Sequence, residues 1–136
     1  MPGPSPRTEW RRLSQIMKVR TANTILYCAR WRECVKFYRE GLELAVNFEN
    51  EWFVEFVLNN ATRISIADAA RTSIESAGGR GITVTLEVAN LEAAHRMVEG
   101  RGLVPGPIHR HPWGADVFYL VDPDGHRIEF WSNVPG

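Results

Sequence analysis

Phe118-Tyr119-Leu120-Val121-Asp122-Pro123-Asp124-Gly125-His126-Arg127-Ile128-Glu129-Phe130 is the stretch on which the architecture turns. Its centre, Asp122-Pro123-Asp124-Gly125, reads as a tight turn: Pro pre-sets φ and Gly takes the left-handed position. Apolar residues flank it on both sides. The segment is therefore a hairpin joining a strand over 115–121 to a strand over 127–132. In the second strand Glu129 lies between Ile128 and Phe130, and strand alternation aims it at the opposite face. If Ile128 and Phe130 face a helix, Glu129 faces away from it, together with Arg127 and Trp131.

Upstream of the hairpin, residues 82–88 form a strand rich in β-branched residues. Asn90 is placed to cap a helix that carries Leu91, Ala94 and Val98 on one face. Gly100 and Gly102 end it, and 103–109 reads as another strand. The same order occurs earlier in the chain. Residues 23–29 are a short apolar strand. Over 31–44 the recurrence of Trp31, Cys34, Val35, Tyr38 and Leu42 predicts a helix, with Gly41 marking its end. Strands over 45–48, 52–58 and 62–67 follow, separated by Glu49-Asn50-Glu51 and Asn59-Asn60. The chain is thus β-α-β-β-β twice: an α+β fold with module one at 21–68, a Ser/Gly-rich linker at 69–81 with room for a short helical piece, and module two at 82–132. A shift of 60 positions lays Asn23 on Thr83, Cys28 on Val88 and Trp31 on Leu91. Two such sheets, side by side, make a curved trough, and concave sites are where small ligands bind.

The rest of the sequence fits one domain. The 136 residues suffice for a core, and 44% hydrophobic with 24% charged residues is ordinary globular composition. Lys+Arg and Asp+Glu both number 16, so nothing suggests a polyanionic partner such as nucleic acid. No apolar run approaches a membrane span, and no secretory leader is visible. Cys28 and Cys34 lack CxxC spacing and read as two reduced, buried thiols of a cytoplasmic protein. Residues 1–20 differ from the rest: Pro2, Gly3, Pro4 and Pro6 preclude regular structure at the start. Trp10, Leu13, Ile16 and Met17 could make a short helical stripe. The segment reads as an extension outside the functional unit, with a docked helix as the competing view.

The motifs over 35–42 (Val35-Lys36-Phe37-Tyr38-Arg39-Glu40-Gly41-Leu42) and 118–130 together resemble the vicinal oxygen chelate superfamily of glyoxalase I, bleomycin-resistance proteins and extradiol dioxygenases. The resemblance covers about residues 21–132 and implies paired βαβββ modules around a trough. In metal-dependent members of this superfamily, four ligands on the first and last strands of the two modules hold a divalent metal that polarises substrate oxygens. Carried onto this sequence, these places fall on Asn23, on Ser65 with a register uncertainty of one, on Thr83 and on Glu129. Only Glu129 is a strong ligand; an amide and two hydroxyls lack the imidazole and carboxylate character of Zn, Fe, Ni or Mn sites. The departure resembles the bleomycin-resistance branch, whose members bind ligands in the trough without metal. The expectation is therefore a homodimeric, cytoplasmic small-molecule-binding protein with no cofactor. An enzyme of lyase, isomerase or dioxygenase type, metal-free through Glu129 or with a divalent metal, is the alternative.

Other residues bear on that choice. His109 and His111 lie two apart, on one face of a strand, and could join Glu129 around a metal; a plain strand end beside a loop is the competing reading. Glu129 itself could act as a general acid or base or pair with Arg127. Glu55, between Val54 and Phe56, points into the trough or out of it according to the register of the Asn59-Asn60 turn. An inward Glu55 or His109 would favour an enzyme. Tyr27, Trp52, Trp113, Phe118 and Trp131 could stack on a flat ligand or simply fill the core. His95 is expected to be solvated, and His126 to occupy a place where many polar residues would do. No Walker A loop, nucleophile elbow or dinucleotide fingerprint is present.

Overall fold

The computed structural model describes residues 9, 11, 12 and 16–133. The strands and helices run β1 (Ala22–Cys28), α1 (Trp31–Lys36) prolonged by a π turn (Phe37–Gly41), β2 (Ala45–Glu49), β3 (Phe53–Asn59), β4 (Thr62–Asp68), a 3-10 turn (Ala69–Arg71), β5 (Thr83–Glu87), α2 (Leu91–Gly100), β6 (His109–Arg110), β7 (Ala115–Val121) and β8 (Arg127–Asn133). They form two four-stranded mixed sheets, ordered β1-β4-β3-β2 and β5-β8-β7-β6. In each, the first strand of the module is parallel to the last, and the other pairs are antiparallel. This is the expected α+β fold of two βαβββ modules.

Alternation decides what each sheet buries. In module one, Leu26, Cys28, Val54, Phe56, Ile64 and Ile66 turn to the helix face and meet Cys34, Val35 and Tyr38. In module two, Phe118, Leu120, Ile128 and Phe130 do the same against Leu91 and Val98. The opposite face of each sheet is left open. Asn90 caps α2 through its side chain, which accepts from the Ala93 N–H at 3.0 Å. Cys28 and Cys34 are free and wholly buried.

Two boundaries differ from the sequence reading. The strand expected over 103–109 survives only as His109–Arg110. Pro105 and Pro107 have no N–H to give a ladder, and one isolated bond, Gly106 N–H to the Tyr119 carbonyl at 2.9 Å, ties the segment to β7. The helix expected over 31–44 winds as α only to Lys36 and closes in the π turn.

The β7–β8 hairpin ties module two to module one. The Asp122 side chain is fully buried. It accepts from the Tyr38 hydroxyl of module one at 2.7 Å, from the backbone N–H groups of Asp124 and His126 at 2.9 Å each, and pairs with His126 Nδ1 at 2.9 Å. Burial first, then the Asp122 charge, pushes the Tyr38 hydroxyl's pKa far up, so Tyr38 serves only as a donor. His126 is therefore a buried partner of Asp122, and the expectation that many polar residues would do there is corrected. Asp124 accepts from the Arg30 N–H at 2.9 Å and from the Ser76 hydroxyl. Close approach requires bare backbone here: Gly79, at φ +83°, would place a Cβ 2.0 Å from the Gly125 carbonyl oxygen.

Of the apolar stripe expected near the N-terminus, Trp10 and Leu13 lie outside the described residues. Ile16 and Met17 are 70% and 72% exposed. No helix among the described residues is long and apolar enough to cross a membrane.

Candidate functional site

The β7–β8 register places the side chains of module two's open face. Ala115 pairs with Asn133, Val117 with Trp131, Tyr119 with Glu129 and Val121 with Arg127. On the other side of β8, Thr83 pairs with Arg127, Thr85 with Glu129 and Glu87 with Trp131. The open face therefore carries Arg127, Thr83, Glu129 and Thr85 toward one end, and Trp131, Val117 and Ala115 with Glu87 and Asn133 toward the other. Glu129 Oε1 accepts from the Thr85 hydroxyl at 2.7 Å. The Tyr119 hydroxyl is turned toward the same carboxylate; burial first, then this interaction, raises its pKa. Arg127 does not pair with Glu129. Its Nε–H donates to the Thr83 hydroxyl at 3.2 Å, and its guanidinium lies 4.7 Å from the Tyr119 ring centre.

Beside Glu129 opens a cavity of about 370 Å³ walled by Thr85, His111, Trp113, Ala115, Val117, Glu129, Trp131 and Asn133. Its rim is the turn His111-Pro112-Trp113-Gly114. The turn is closed by Gly114 N–H to the His111 carbonyl at 2.9 Å and His111 N–H to the Ala115 carbonyl at 2.7 Å. That geometry lays the Trp113 ring edge-on to His111, with centroids 4.2 Å apart. Trp113 is 83% exposed, an unusual position for a ring of its size. His111 Nδ1 is buried and has no hydrogen-bond partner.

Module one's open face carries a second polar row, built differently. Asn23 Oδ1 accepts from the Ser65 hydroxyl at 2.8 Å. Asn23 Nδ2 donates to Glu55 Oε1 at 3.5 Å, and Asn47 Nδ2 donates to Glu55 Oε2. Glu55 thus shares the open face with Asn23 and Ser65. Asn23–Arg63 and Ile25–Ser65 in module one correspond to Thr83–Arg127 and Thr85–Glu129 in module two, so Ser65 and Glu129 occupy equivalent places. No hydrogen bond joins the two rows among the described residues.

The structure thus brings Glu129, Trp131 and Trp113 to one cavity, and Asn23, Glu55 and Ser65 to another place. Thr83 and Arg127 lie together at the end of module two's face. His109 sits on that face but outside the cavity wall; its Nδ1 lies 3.3 Å from the Pro107 carbonyl, and its ring lies 5.8 Å from Tyr119. Tyr27 lies beside the linker, near Ile74 and Arg80. Trp52 sits in the β2–β3 turn, its ring edge-on to Phe53. Phe118, expected in the trough, is wholly buried on the helix face and stacked on Phe130 at 4.9 Å. Counting back from the hairpin turn shows why: Glu129 faces Tyr119, so Phe118 must face the other way. His95 is also corrected. It is half-buried, bonded to the Gly106 carbonyl at 2.9 Å and edge-on to Phe118.

His109, His111 and Glu129 do not form a group with ligand atoms within 4.8 Å of one another. The groups that do among the described residues are Cys28, Cys34 and Asp122, and Cys28, Asp124 and His126. Both lie at the module junction, away from the cavity. The Cys28 thiol's pKa is pushed far up, first by its contact with Cys34 and then by burial, so it is inert in the native protein. Thr85 and His111 line the cavity and Tyr119 reaches Glu129, though the sequence alone did not point to them as ligand contacts. Thr85 was findable as the next same-face residue after Thr83, and Tyr119 by counting back from the turn.

Two βαβββ modules with one open face each define the class: a protein with the glyoxalase, bleomycin-resistance and dioxygenase fold. The sequence model of the glyoxalase-like domain matches residues 21–134, and the chain belongs to that family. A glyoxalase/bleomycin resistance protein/dioxygenase from Nocardioides superposes with a TM-score of 0.71 at 21% identity over 95% of each chain. A lactoylglutathione lyase from Agrobacterium tumefaciens superposes with a TM-score of 0.67 at 19% identity, over 82% of this chain and 91% of that one. A protein of unknown function from Agrobacterium tumefaciens str. C58 is 28% identical, with a TM-score of 0.67 over 82% and 92% of the two chains. No curated protein matches the sequence.

Proposed function

We propose that this chain is a small-molecule-binding member of the family and holds its ligand in the module-two cavity. The single observation that carries the reading is the cavity itself: two tryptophans and the apolar Ala115 and Val117 beside one carboxylate. Ligand sites combine a mostly apolar lining with a few directed polar groups in this way. A thermal-shift screen of small aromatic compounds against the wild type and Trp131→Ala tests it. Compounds that stabilise the wild type and lose their effect in Trp131→Ala support the reading. Hits that ignore the substitution overturn it.

The ligand is bound without the family's divalent metal. At the four family positions the chain has an amide, two hydroxyls and one carboxylate. Asn23 is already engaged by Ser65 and Glu55, and Thr83 by Arg127. One ionisable group among four does not fit a Zn, Fe, Ni or Mn centre. Purified protein is expected to carry well under one equivalent of transition metal. A full equivalent that disappears in Glu129→Gln would overturn this part.

The second reading is an enzyme in which Glu129 moves a proton, in a lyase, isomerase or dioxygenase type of reaction. It is favoured by the lack of any counter-ion at Glu129 among the described residues. Glu55 also lies on an open face, but its two oxygens are taken by Asn23 and Asn47. On this reading Glu129→Gln loses about 10²–10⁴-fold in turnover and keeps its ligand affinity within about tenfold.

We further propose a homodimer in the cytoplasm. Module one leaves Ile25 39% and Phe48 53% exposed, and a second copy is the simplest cover for them. Two free buried thiols suit a reducing compartment. A monomer by light scattering at micromolar concentration would refute the dimer.

A further inference from the structure

We propose that the ligand of the module-two cavity is a small organic cation carried on a flat ring: an aromatic or heteroaromatic ammonium. The proposal rests on the cavity being a ligand site, and deepens that reading by naming the ligand's charge and shape.

Charge comes first. Glu129 presents a carboxylate to the cavity, and its polar neighbours are neutral: the Thr85 hydroxyl at 2.7 Å and the Tyr119 hydroxyl across the strand. None of the ion pairs among the described residues involves Glu129. The cation on its own strand face, Arg127, is committed to Thr83 and to the ring of Tyr119. The cavity wall contains no Lys or Arg. An anionic ligand would meet a like charge and no Lys or Arg to offset it. A neutral ligand would strip water from Glu129 and leave its charge unanswered, which is costly. A cation answers it.

The walls then select the kind of cation. Trp113 and Trp131 line the cavity together with the apolar Ala115 and Val117. Aromatic faces attract cations, best when both are dehydrated, and quaternary or ring-bound nitrogen dehydrates more readily than a metal ion or a primary ammonium. The same indoles stack on flat rings. A volume of about 370 Å³ lies at the small end of ligand pockets and fits one or two rings rather than an extended polycycle.

The test is a matched charge series read by tryptophan fluorescence and calorimetry: benzyltrimethylammonium, benzyl alcohol and benzoate. On the unmodified protein the ammonium is expected to bind at least about tenfold more tightly than the alcohol, and benzoate more weakly than either. Glu129→Gln should remove the preference for the ammonium over the alcohol. Trp131→Ala should weaken both. Equal binding of ammonium and alcohol, or an ammonium preference that persists in Glu129→Gln, overturns the cation proposal while leaving the cavity a ligand site, provided Trp131→Ala still weakens binding. Binding of all three that is untouched by Trp131→Ala overturns the cavity reading as well. The charge series on wild-type protein decides the proposal even if Glu129→Gln fails to fold.

Discussion

Tyr38→Phe removes one oxygen from the junction between the modules and nothing else of consequence. The ring keeps its edge contact with Phe37 at 5.0 Å and its place 6.1 Å from Phe56, so no cavity opens. What is lost is the 2.7 Å bond to Asp122, which spans 84 residues of sequence and links the π turn of module one to the β7–β8 hairpin. Asp122 keeps its two backbone donors and His126, so its charge is weakened in solvation rather than stranded. Hydrogen bonds to a charged group are worth about 1.5–3 kcal/mol, and three surviving partners place the loss near the lower half, about 2 kcal/mol. With a urea slope of about 2 kcal/mol/M for a domain of this size, the unfolding midpoint should fall by about 1 M with the slope unchanged. Equilibrium urea unfolding followed by tryptophan fluorescence and by circular dichroism measures both. A midpoint shift below about 0.3 M would refute the reasoning that this bond is a main tie between the modules. Two separate transitions in the wild type would refute it too, because modules tied at a buried carboxylate should unfold together.

Three further outcomes are expected. Phe118→Ala, at a wholly buried ring stacked on Phe130, should cost about 3–5 kcal/mol, whereas Trp113→Ala, at an 83% exposed ring, should cost under about 1 kcal/mol; chemical denaturation of both variants checks the assignment of the two aromatics to core and cavity. His126 has its pKa raised above 6.5, by its hydrogen bond to Asp122 and against the opposing effect of burial. The folded state therefore holds that proton more tightly than the unfolded chain: the pair's contribution is full below about pH 6.5 and is lost as pH rises through the higher folded value. Urea midpoints measured from about pH 5.5 to about pH 8.5 should decline in the wild type and decline less in His126→Gln; parallel profiles would refute the role given to His126. Deleting residues 1–16 should move the melting temperature by less than about 3 °C, because the regular pattern begins at β1 and Ile16, Met17 and Val19 are exposed; loss of soluble protein would show that the segment docks.

The fold was legible because its signals are local and repeated. The Asp122-Pro123-Asp124-Gly125 turn, the helix stripe of Cys34, Val35 and Tyr38, and the Asn90 cap each specify a backbone conformation from neighbouring residues alone. Their order, twice over, then leaves one architecture. The strand over 103–109 was overread because hydrophobic Leu103, Val104 and Ile108 suggest a strand, while Pro105 and Pro107 remove the donors a ladder needs. The site was legible only where parity could be counted from a fixed point. Glu129, Trp131 and Arg127 follow from the hairpin turn by steps of two, and Tyr119 follows by the same count. Phe118 was misplaced because aromatic character was read without that count. His111's unpartnered nitrogen could not be read at all: whether a ring nitrogen finds a partner depends on the exact course of the 111–114 turn, which carries no sequence signature beyond Pro112 and Gly114.

On the proposed reading, the asymmetry between the modules directs the ligand to one of them. Both open faces carry a carboxylate, and the two last strands place Ser65 and Glu129 at equivalent positions. In module one the carboxylate has moved one strand across, to Glu55, where two amides, Asn23 and Asn47, occupy both of its oxygens, and the hydroxyl that replaces it at Ser65 is spent on Asn23. Asn23, Ser65, Glu55 and Asn47 bond one another across that row, so a ligand there would compete with existing bonds. In module two the carboxylate stays on the last strand beside a 370 Å³ space that Trp113 and Trp131 also line, with the neutral Thr85 hydroxyl bonded to it. A binding partner there gains interactions without displacing any. Module one is then left to the exposed Ile25 and Phe48, an apolar surface suited to a second copy of the chain. The two modules thus differ in where a carboxylate stands: one strand across and bonded by two amides in the first, on the last strand and without an ion-pair partner among the described residues in the second.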